Sequence, residues 1–482
     1  MAKALIRKLL SQYPTLNLSG LECFCTFALL IKITTKYNSQ MTMNKHIYLI
    51  IALLFVNIHI HAQDVAPMIQ TQWGQSDPYN ALCPLDSTGN RTLAGCGPIA
   101  MAQVLNYLGV KSKSVPQLIR ECGISAFTRY GKDVSNTFTM QSLNAMKKLF
   151  HCSPYMNMVK RNEYSGEEGK QEWNRLITNE LIQGRPIIIS GKSEKDGHIF
   201  ILDGLKGNLV HVNLGWAGRH DGYYPLDCLY GYSQNNAAII DIGDSTYVPR
   251  IDTITVKQAG TLQAMMQNRP WRQIRHLSIV GSINDDDIHW LRTIAKYDKE
   301  QSSHLRTLDL SATDMTYLPD SAFTYCAGLT YFKLPEKLET IGRYAFKFGY
   351  GINQVDIPPT VKKIRLDAFA LCSQLLDIKI PEGVSNILSC SFIGCSYLTN
   401  VKLPATIDTI GYSVFERCSR LENLYIPASA TQIGVSITSN CPNVKIHIDP
   451  QIRSESVCSN QFNCYACVRH QIEANDALVM PL

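Results

Sequence analysis

The chain has 482 residues, 45% of them apolar and 18% charged, about three times the ~150 of an ordinary domain, so neither a mini-protein nor a disordered chain fits. Its formal net charge of +6 is concentrated at the front: residues 1–62 hold Lys3, Arg7, Lys8, Lys32, Lys36 and Lys45 against Glu22 alone, which leaves only +1 for the remaining 420 residues. With no run of Lys and Arg to follow a phosphate backbone, no nucleic-acid partner is expected.

Met43-Asn44-Lys45-His46 is a short basic start, followed by the apolar run Ile47 to Ile60 and then His61-Ala62-Gln63. These are the three parts of a secretory signal peptide, and the apolar run falls short of the ~20 residues that span a bilayer as a helix. Residues 43–62 are therefore expected to be a signal peptide cut after Ala62, and residues 1–42 an upstream extension ahead of a true start at Met41 or Met43. The mature protein is expected to be secreted or at the cell surface, where disulfides are permitted but not required.

Residues 66–248 contain no repeat and read as a mixed α and β domain. In RTLAGCGPIAMAQVLNYLGV, Arg91 to Val110, Ala100, Val104 and Leu108 recur at helical spacing beside Met101 and Leu105. Pro98 suits a first turn and Gly109 an end. Cys96 thereby falls at the mouth of a helix, where unpaired N–H groups and the positive end of the helix dipole favour thiolate over thiol. It is the best candidate nucleophile in the chain. Without a base, however, a buried structural cysteine in a Gly-Cys-Gly-Pro turn is the better reading.

A candidate base lies in RPIIISGKSEKDGHIFILDGLKGNLVHVNLGWAGRHDGYYPL, which reads strand, polar loop, strand, tight turn, strand. His198 opens the second strand and Asn213 closes the third. With Lys206-Gly207 as the turn, facing residues have numbers summing to 413, so Asn213 opposes Phe200 and shares the face of His198, within diagonal reach of the imidazole. A slip of one residue stays open, because Lys-Gly is not the strongest hairpin turn. His151, His211 and His220 compete for the role. Only His198 follows a Gly/Ser/Lys loop and begins a strand whose next four residues are all apolar, a place where a polar residue needs a reason.

Cys96, His198 and Asn213 in this order resemble the streptopain family of papain-like cysteine peptidases. WGQSDPYNALCP, Trp73 to Pro84, is similar to that family's segment carrying an oxyanion-hole glutamine, here Gln75. AGCGPIAMAQ is similar to the nucleophile segment, and GHIFILDGL and HVNLGWAGRHDGYYPL to the histidine and asparagine segments. The resemblance implies an α+β papain-like cysteine peptidase domain that needs no metal or organic cofactor. It implies that Cys96 attacks a peptide carbonyl, His198 protonates the leaving amine and Asn213 holds the ring. Gln75 and the Cys96 N–H would stabilise the oxyanion, at ~3 kcal/mol per donor, and Trp216 would be the aromatic residue beside the site. Three departures stand out. Leu214 replaces the tryptophan common after the asparagine, the interval from Cys96 to His198 is shorter than the family's, and only Gln63 to Gln72 separate the expected cut from Trp73, so no inhibitory pro-region is expected.

Residues 249–304 read as a linker and solenoid cap, an apolar strand followed by a polar corner and a helical stretch. Asp285-Asp286-Asp287 are expected to cap that helix rather than hold a cation. From 305 to 448 the chain repeats: Pro335, Pro358, Pro381, Pro404 and Pro427 are 23 residues apart, as are Phe323, Phe346, Phe369, Phe392 and Phe415. Units of this length cannot bury their own apolar faces and must stack, giving a leucine-rich-repeat solenoid with its first strand one residue out of register. Cys326, Cys372, Cys395, Cys418 and Cys441 each lie three residues past the phenylalanine position, with Gly349 in the one missing place, and are expected as a buried packing column rather than disulfides or ligands. The pattern resembles the BspA-like leucine-rich repeats of bacterial surface proteins. In the tail, residues 449–482, Cys458, Cys464, Cys467 and His470 are expected to form one disulfide with an odd thiol rather than a zinc site.

The expectation is a secreted cysteine endopeptidase acting on protein or peptide substrates, its repeats binding a host or cell-surface protein. Two alternatives stay open. One is a surface adhesin with a degenerate, inactive peptidase domain, and the other an amidase or transglutaminase-like acyl transferase using the same triad.

Overall fold

The helix expected behind Cys96 forms as α1 (Cys96–Tyr107) in the computed structural model, which describes residues 64–296 and 304–449. The expected upstream extension, signal peptide and tail cysteines lie outside the described residues. α2 (Val115–Ser125) and α3 (Thr139–Lys148) complete a helical layer. Ser114 starts α2 by accepting from the Gln117 N–H, with Pro116 in the first turn.

A six-stranded antiparallel sheet follows: β1 (Asn157–Lys160), then α4 (Gly166–Ile182), β2 (Ile187–Lys192), β3 (Gly197–Lys206), β4 (Leu209–Asn213), β5 (Gly222–Pro225) and β6 (Gln234–Ile240), in the spatial order β1-β6-β2-β3-β4-β5. Side chains alternate across a strand, which divides this sheet between two cores. Ile188, Ile199, Ile201 and Ile239 pack with Ile99, Leu105 and Leu143 of the helical layer. Ile187, Ile189, Phe200 and Leu202 pack with Trp173, Leu176 and Leu181 of α4 on the other side. Each such buried side chain contributes roughly 1.5–3 kcal/mol.

The β3–β4 hairpin corrects the expected register. Lys206 pairs with Leu209, so the turn is Gly207-Asn208, with Gly207 at φ +56, and a bulge at Asp203 shifts the ladder again so that Asn213 faces Ile201 rather than Phe200. The bulge has a distant cause. Asp203 is fully buried, accepts from the Ile69 N–H at 2.9 Å and meets His211 Nδ1 at 2.6 Å, while its carbonyl accepts from the Met68 N–H. Asn213 therefore lies on the α1 side of the sheet, and His198 on the Phe200 side.

The solenoid sheet begins at β7 (Asp252–Val256) and continues through α5 (Leu262–Met266), β8 (His276–Gly281) and α6 (Asp285–Ala295) into the repeats. Asn284 caps α6, and Asp287 returns the bond to the Asn284 N–H while also accepting from the Gly260 and Leu262 N–H groups. The acidic run thus serves as a capping box.

The repeat strands are β9 (Thr307–Asp309), β10 (Tyr317–Leu318), β11 (Tyr331–Lys333), β12 (Thr340–Ile341), β13 (Gln354–Asp356), β14 (Lys363–Ile364), β15 (Asn386–Ile387), β16 (Asn400–Lys402), β17 (Thr409–Ile410), β18 (Asn423–Ile426), β19 (Gln432–Ile433) and β20 (Lys445–Ile448). They form parallel ladders; Thr340, Lys363, Asn386, Thr409 and Gln432 align at the 23-residue period, and Thr307 aligns with Tyr331 one residue late, as expected. Inside, Phe346, Phe369, Phe392 and Phe415 stack at 5.0, 5.1 and 5.5 Å between centroids.

The cysteine column is buried as expected, and it also bonds. The thiols of Cys372, Cys395, Cys418 and Cys441 donate to the carbonyls of Phe346, Phe369, Phe392 and Phe415 at 3.1–3.3 Å, coil to coil. At Gly349 a Cβ would strike the Phe346 carbonyl at 2.9 Å and Ile352 at 2.6 Å, so the smallest residue stands in the gap.

The first domain and the solenoid meet through polar groups. On α3, Asn144 donates to Gln374 at 2.9 Å, Lys147 to Asn353 at 2.8 Å, and Lys148 to the Leu376 carbonyl at 2.9 Å. Elsewhere Arg306 pairs with Glu163 at 2.5 Å, His276 meets Asp241 at 3.2 Å, and Tyr155 packs edge-on against Tyr331. The chain's own first domain therefore lies against coils from Arg306 to Leu376.

Candidate active site

Cys96 is delivered by a turn that only glycine permits. Gly95 has φ +91 as the N-cap of α1, and a Cβ there would meet Ser135 at 3.2 Å. The Gln75 carbonyl accepts from the Ala94 N–H at 2.8 Å, which fastens the Trp73–Ser76 segment alongside. His198 enters from the start of β3, opposite Gly191. A cavity of about 320 Å³ is lined by Gln75, Cys96, His198 and Trp216 together, with Asp133, Asp196, Arg219 and Tyr232. Four of the five residues singled out from sequence thus converge, whereas His151, His211 and His220 are absent from this lining. His211 instead pairs with Asp203.

Asn213, the fifth, does not touch the ring as expected. The Nε2 of His198 lies 2.8 Å from the carbonyl oxygen of Leu214. A carbonyl only accepts, so Nε2 carries the proton and Nδ1 is left as the basic nitrogen. The same peptide group is held from its other end: the Gly215 N–H donates to Asn213 Oδ1 at 3.1 Å. Asp221 also accepts from the Leu214 N–H at 2.8 Å. Asn213 therefore reaches the imidazole through the Leu214–Gly215 peptide.

Gln103 is the residue that sequence reasoning missed. It is fully buried on α1, donates to Asn213 Oδ1 at 3.1 Å, and accepts from the Trp73 N–H at 3.1 Å and Thr71 Oγ1 at 3.0 Å. It ties the Asn213 turn to the segment that carries Gln75. Its signal was present: a glutamine seven residues after Cys96, within an otherwise apolar helix face. Asp196 and Tyr232 were missed too, since neither stands out from its neighbours in sequence.

The ring of His198 packs against Phe200, Trp216 and Tyr232 at 5.8, 4.8 and 5.2 Å between centroids. Burial pushes its pKa down, partly offset by the Leu214 carbonyl and the Asp196 carboxylate. Burial likewise pushes the Cys96 thiol up, against the pull of the Ile199, Gly97 and Cys96 N–H groups. Each group alone is thus driven toward its neutral form. Among the described residues no cluster of His, Cys, Asp and Glu is arranged to hold a metal ion.

The family described as "Peptidase C10 family" matches residues 73–111 and 108–224, and "BspA type Leucine rich repeat region" matches 291–376 and 316–445 in six copies. Streptopain of Streptococcus pyogenes is 32% identical over 121 residues, 25% of this chain and 29% of its own. The thiol protease/hemagglutinin PrtT of Porphyromonas gingivalis is 23% identical over 243 residues, 37% of this chain and 28% of its own. The chain spans less than a third of the length of these curated relatives. Among solved structures, the interpain A cysteine protease of Prevotella intermedia is 24% identical, with 36% of this chain and 94% of that chain covered at a TM-score of 0.33. A leucine-rich repeat protein of T. pallidum is also 24% identical, with 30% and 67% covered at 0.28. The two matches divide the chain: residues 73–224 are similar to the Peptidase C10 family, and residues 291–445 to the BspA-type leucine-rich repeats.

Proposed function

We propose that the protein is a secreted cysteine endopeptidase in which Cys96 is the nucleophile and His198 the acid and base. The observation that carries this reading is the convergence of Cys96, His198 and Gln75 on one cavity, with Nε2 of the imidazole occupied by Leu214 and Nδ1 left basic. The Cys96 sulfur, having given its proton to Nδ1, adds to the peptide carbonyl carbon. The imidazolium then protonates the leaving amine, and a thioester remains. Water attacks the thioester, giving its proton to Nδ1, and releases the acid and the thiol. Gln75 and the Cys96 N–H serve the oxyanion, Asn213 steadies the Leu214 carbonyl, and Trp216 shields the ring. The substrates are proteins or peptides, and export follows from the leader at residues 43–62. The repeats bind a host or cell-surface protein through coils that the first domain leaves uncovered.

Cys96→Ala in the full chain is expected to abolish hydrolysis of casein, and undiminished hydrolysis would refute the reading. A second reading, a binding protein whose first domain is inactive, is favoured by the drive of both Cys96 and His198 toward neutrality. Alkylation of Cys96 at neutral pH separates the two, because it requires an activated thiolate.

A further inference from the structure

One contact joins the solenoid to the segment that leads into the cavity wall. Arg420, half-buried on a C-terminal coil, holds its guanidinium carbon 3.9 Å from the ring centroid of Phe127 and 3.8 Å from that of Tyr397. It is sandwiched between a ring of the peptidase region and a ring of the solenoid. Its Nη1 is buried without a hydrogen-bond partner in the protein, so the two ring faces are what hold the group.

Phe127, in the left-handed region at φ +51, precedes the residues Asp133 to Asn136 that line the cavity. From there the path is contiguous. Arg129 and Asn136 exchange both backbone hydrogen bonds, at 2.9 and 3.0 Å, and close a loop whose residues Asp133 to Asn136 line the cavity. Ser135 Oγ donates to the Leu93 carbonyl at 2.6 Å, and the Leu93 N–H donates to the Gly131 carbonyl at 3.3 Å. Leu93 itself lines the cavity. Thr137 lies against Gly97, where a Cβ would approach it to 2.8 Å.

We propose that Arg420 is a positioning residue for the active site: the repeat region braces, from within the same chain, the Phe127–Thr137 wall beside Cys96. The inference rests on the peptidase reading above. A solenoid that served only to tether the enzyme would not need to clamp this wall. A ligand that shifts the Arg420 coil is thereby coupled to substrate binding, without touching substrate.

The test uses the full chain as wild type, Arg420→Ala, Arg420→Lys, and the control Arg417→Ala, whose guanidinium is exposed and pairs with Glu416 at 3.6 Å. Two readouts are taken: hydrogen exchange at the Arg129 and Asn136 amides, and KM and kcat on a peptide substrate. Loss of the double cation–π contact is expected to speed exchange at these two amides, and to raise KM, by about three- to thirtyfold, with kcat within about twofold. Arg420→Lys keeps a cation between the rings and restores most of both, and Arg417→Ala matches wild type. Unchanged exchange at the two amides in Arg420→Ala overturns the proposal. So does exchange that rises uniformly through the chain, since Arg420 would then be merely structural. If wild type hydrolyses nothing, the peptidase reading fails on that result alone, and the exchange measurement still decides the brace.

Discussion

The imidazole of His198 is oriented by the main chain of Leu214, with Asn213 acting one bond further back through Gly215. The position after the asparagine therefore matters through its carbonyl, which any residue supplies, and the leucine found there does not disturb it. Asn213→Ala would leave the His198–Leu214 bond possible but untethered, and would strip a partner from the buried Gln103. The expected result is a drop in kcat/KM of about 10- to 100-fold, corresponding to roughly 1–3 kcal/mol for a buried group left unpaired. Cys96→Ala and His198→Ala should instead abolish turnover. Loss in Asn213→Ala as complete as in His198→Ala would mean a direct role for the amide.

Asp196 offers a test of the site's electrostatics. It lines the cavity, accepts from Ser193 Oγ at 2.7 Å, and holds a negative charge near both reacting groups. Burial is the main cause of the raised Cys96 pKa, and Asp196 adds to it. Burial is also the main cause of the lowered His198 pKa, and Asp196 works against it. Removing the charge therefore lowers both. Asp196→Asn keeps the Oδ1 acceptor for Ser193, and the pH profile of kcat/KM is expected to move as a whole to lower pH. A profile that stays in place or moves upward contradicts the assignment of these two groups.

The thiol column separates packing from hydrogen bonding. Cys395 is fully buried, its Sγ lies 3.2 Å from the Phe369 carbonyl, and burial holds its pKa well above the usual thiol value. Cys395→Ser keeps a second donor for that carbonyl, whereas Cys395→Val adds volume and leaves it only the Cys372 N–H at 3.2 Å. Urea unfolding should show the valine variant destabilised by about 1–3 kcal/mol and the serine variant by less. The reverse order would mean that the column is apolar packing alone. Peptide mapping after brief alkylation should find Cys96 modified ahead of Cys372, Cys395 and Cys418, which no solvent reaches.

What the sequence disclosed and what it hid divides by range. The solenoid was legible to the residue because its contacts repeat every 23 positions, so one coil announces the next. Cys96 was legible because helix periodicity and a glycine turn are local signals. The hairpin register was not, because the bulge at Asp203 is stabilised by the Ile69 N–H, 134 residues away. Asn213 was given the wrong contact for that reason. The interface was invisible because its members, Asn144, Lys147, Glu163 and Asn353, are polar residues that sequence reading assigns to solvent.

Lys147 gives that interface a pH signature. Its amine is buried between α3 and the solenoid, donating to Asn353 Oδ1 at 2.8 Å, and burial, opposed by Asp241, lowers its pKa from 10.5 to about 7. Between these two values the unfolded chain keeps the proton and the folded chain does not. Stability therefore rises with pH through this window, by up to about 1.4 kcal/mol per unit, and is at its lowest below pH 7, where the fold must bury the charge. Lys147→Met removes the titrating group while keeping the length of the side chain. Urea midpoints measured at about pH 6.5, 8 and 9.5 should climb in wild type and change less in the variant, which should be the more stable of the two at the lowest pH. Parallel curves would mean that the amine keeps its charge at the interface, with Asn353 and Asp241 together sufficient to hold it.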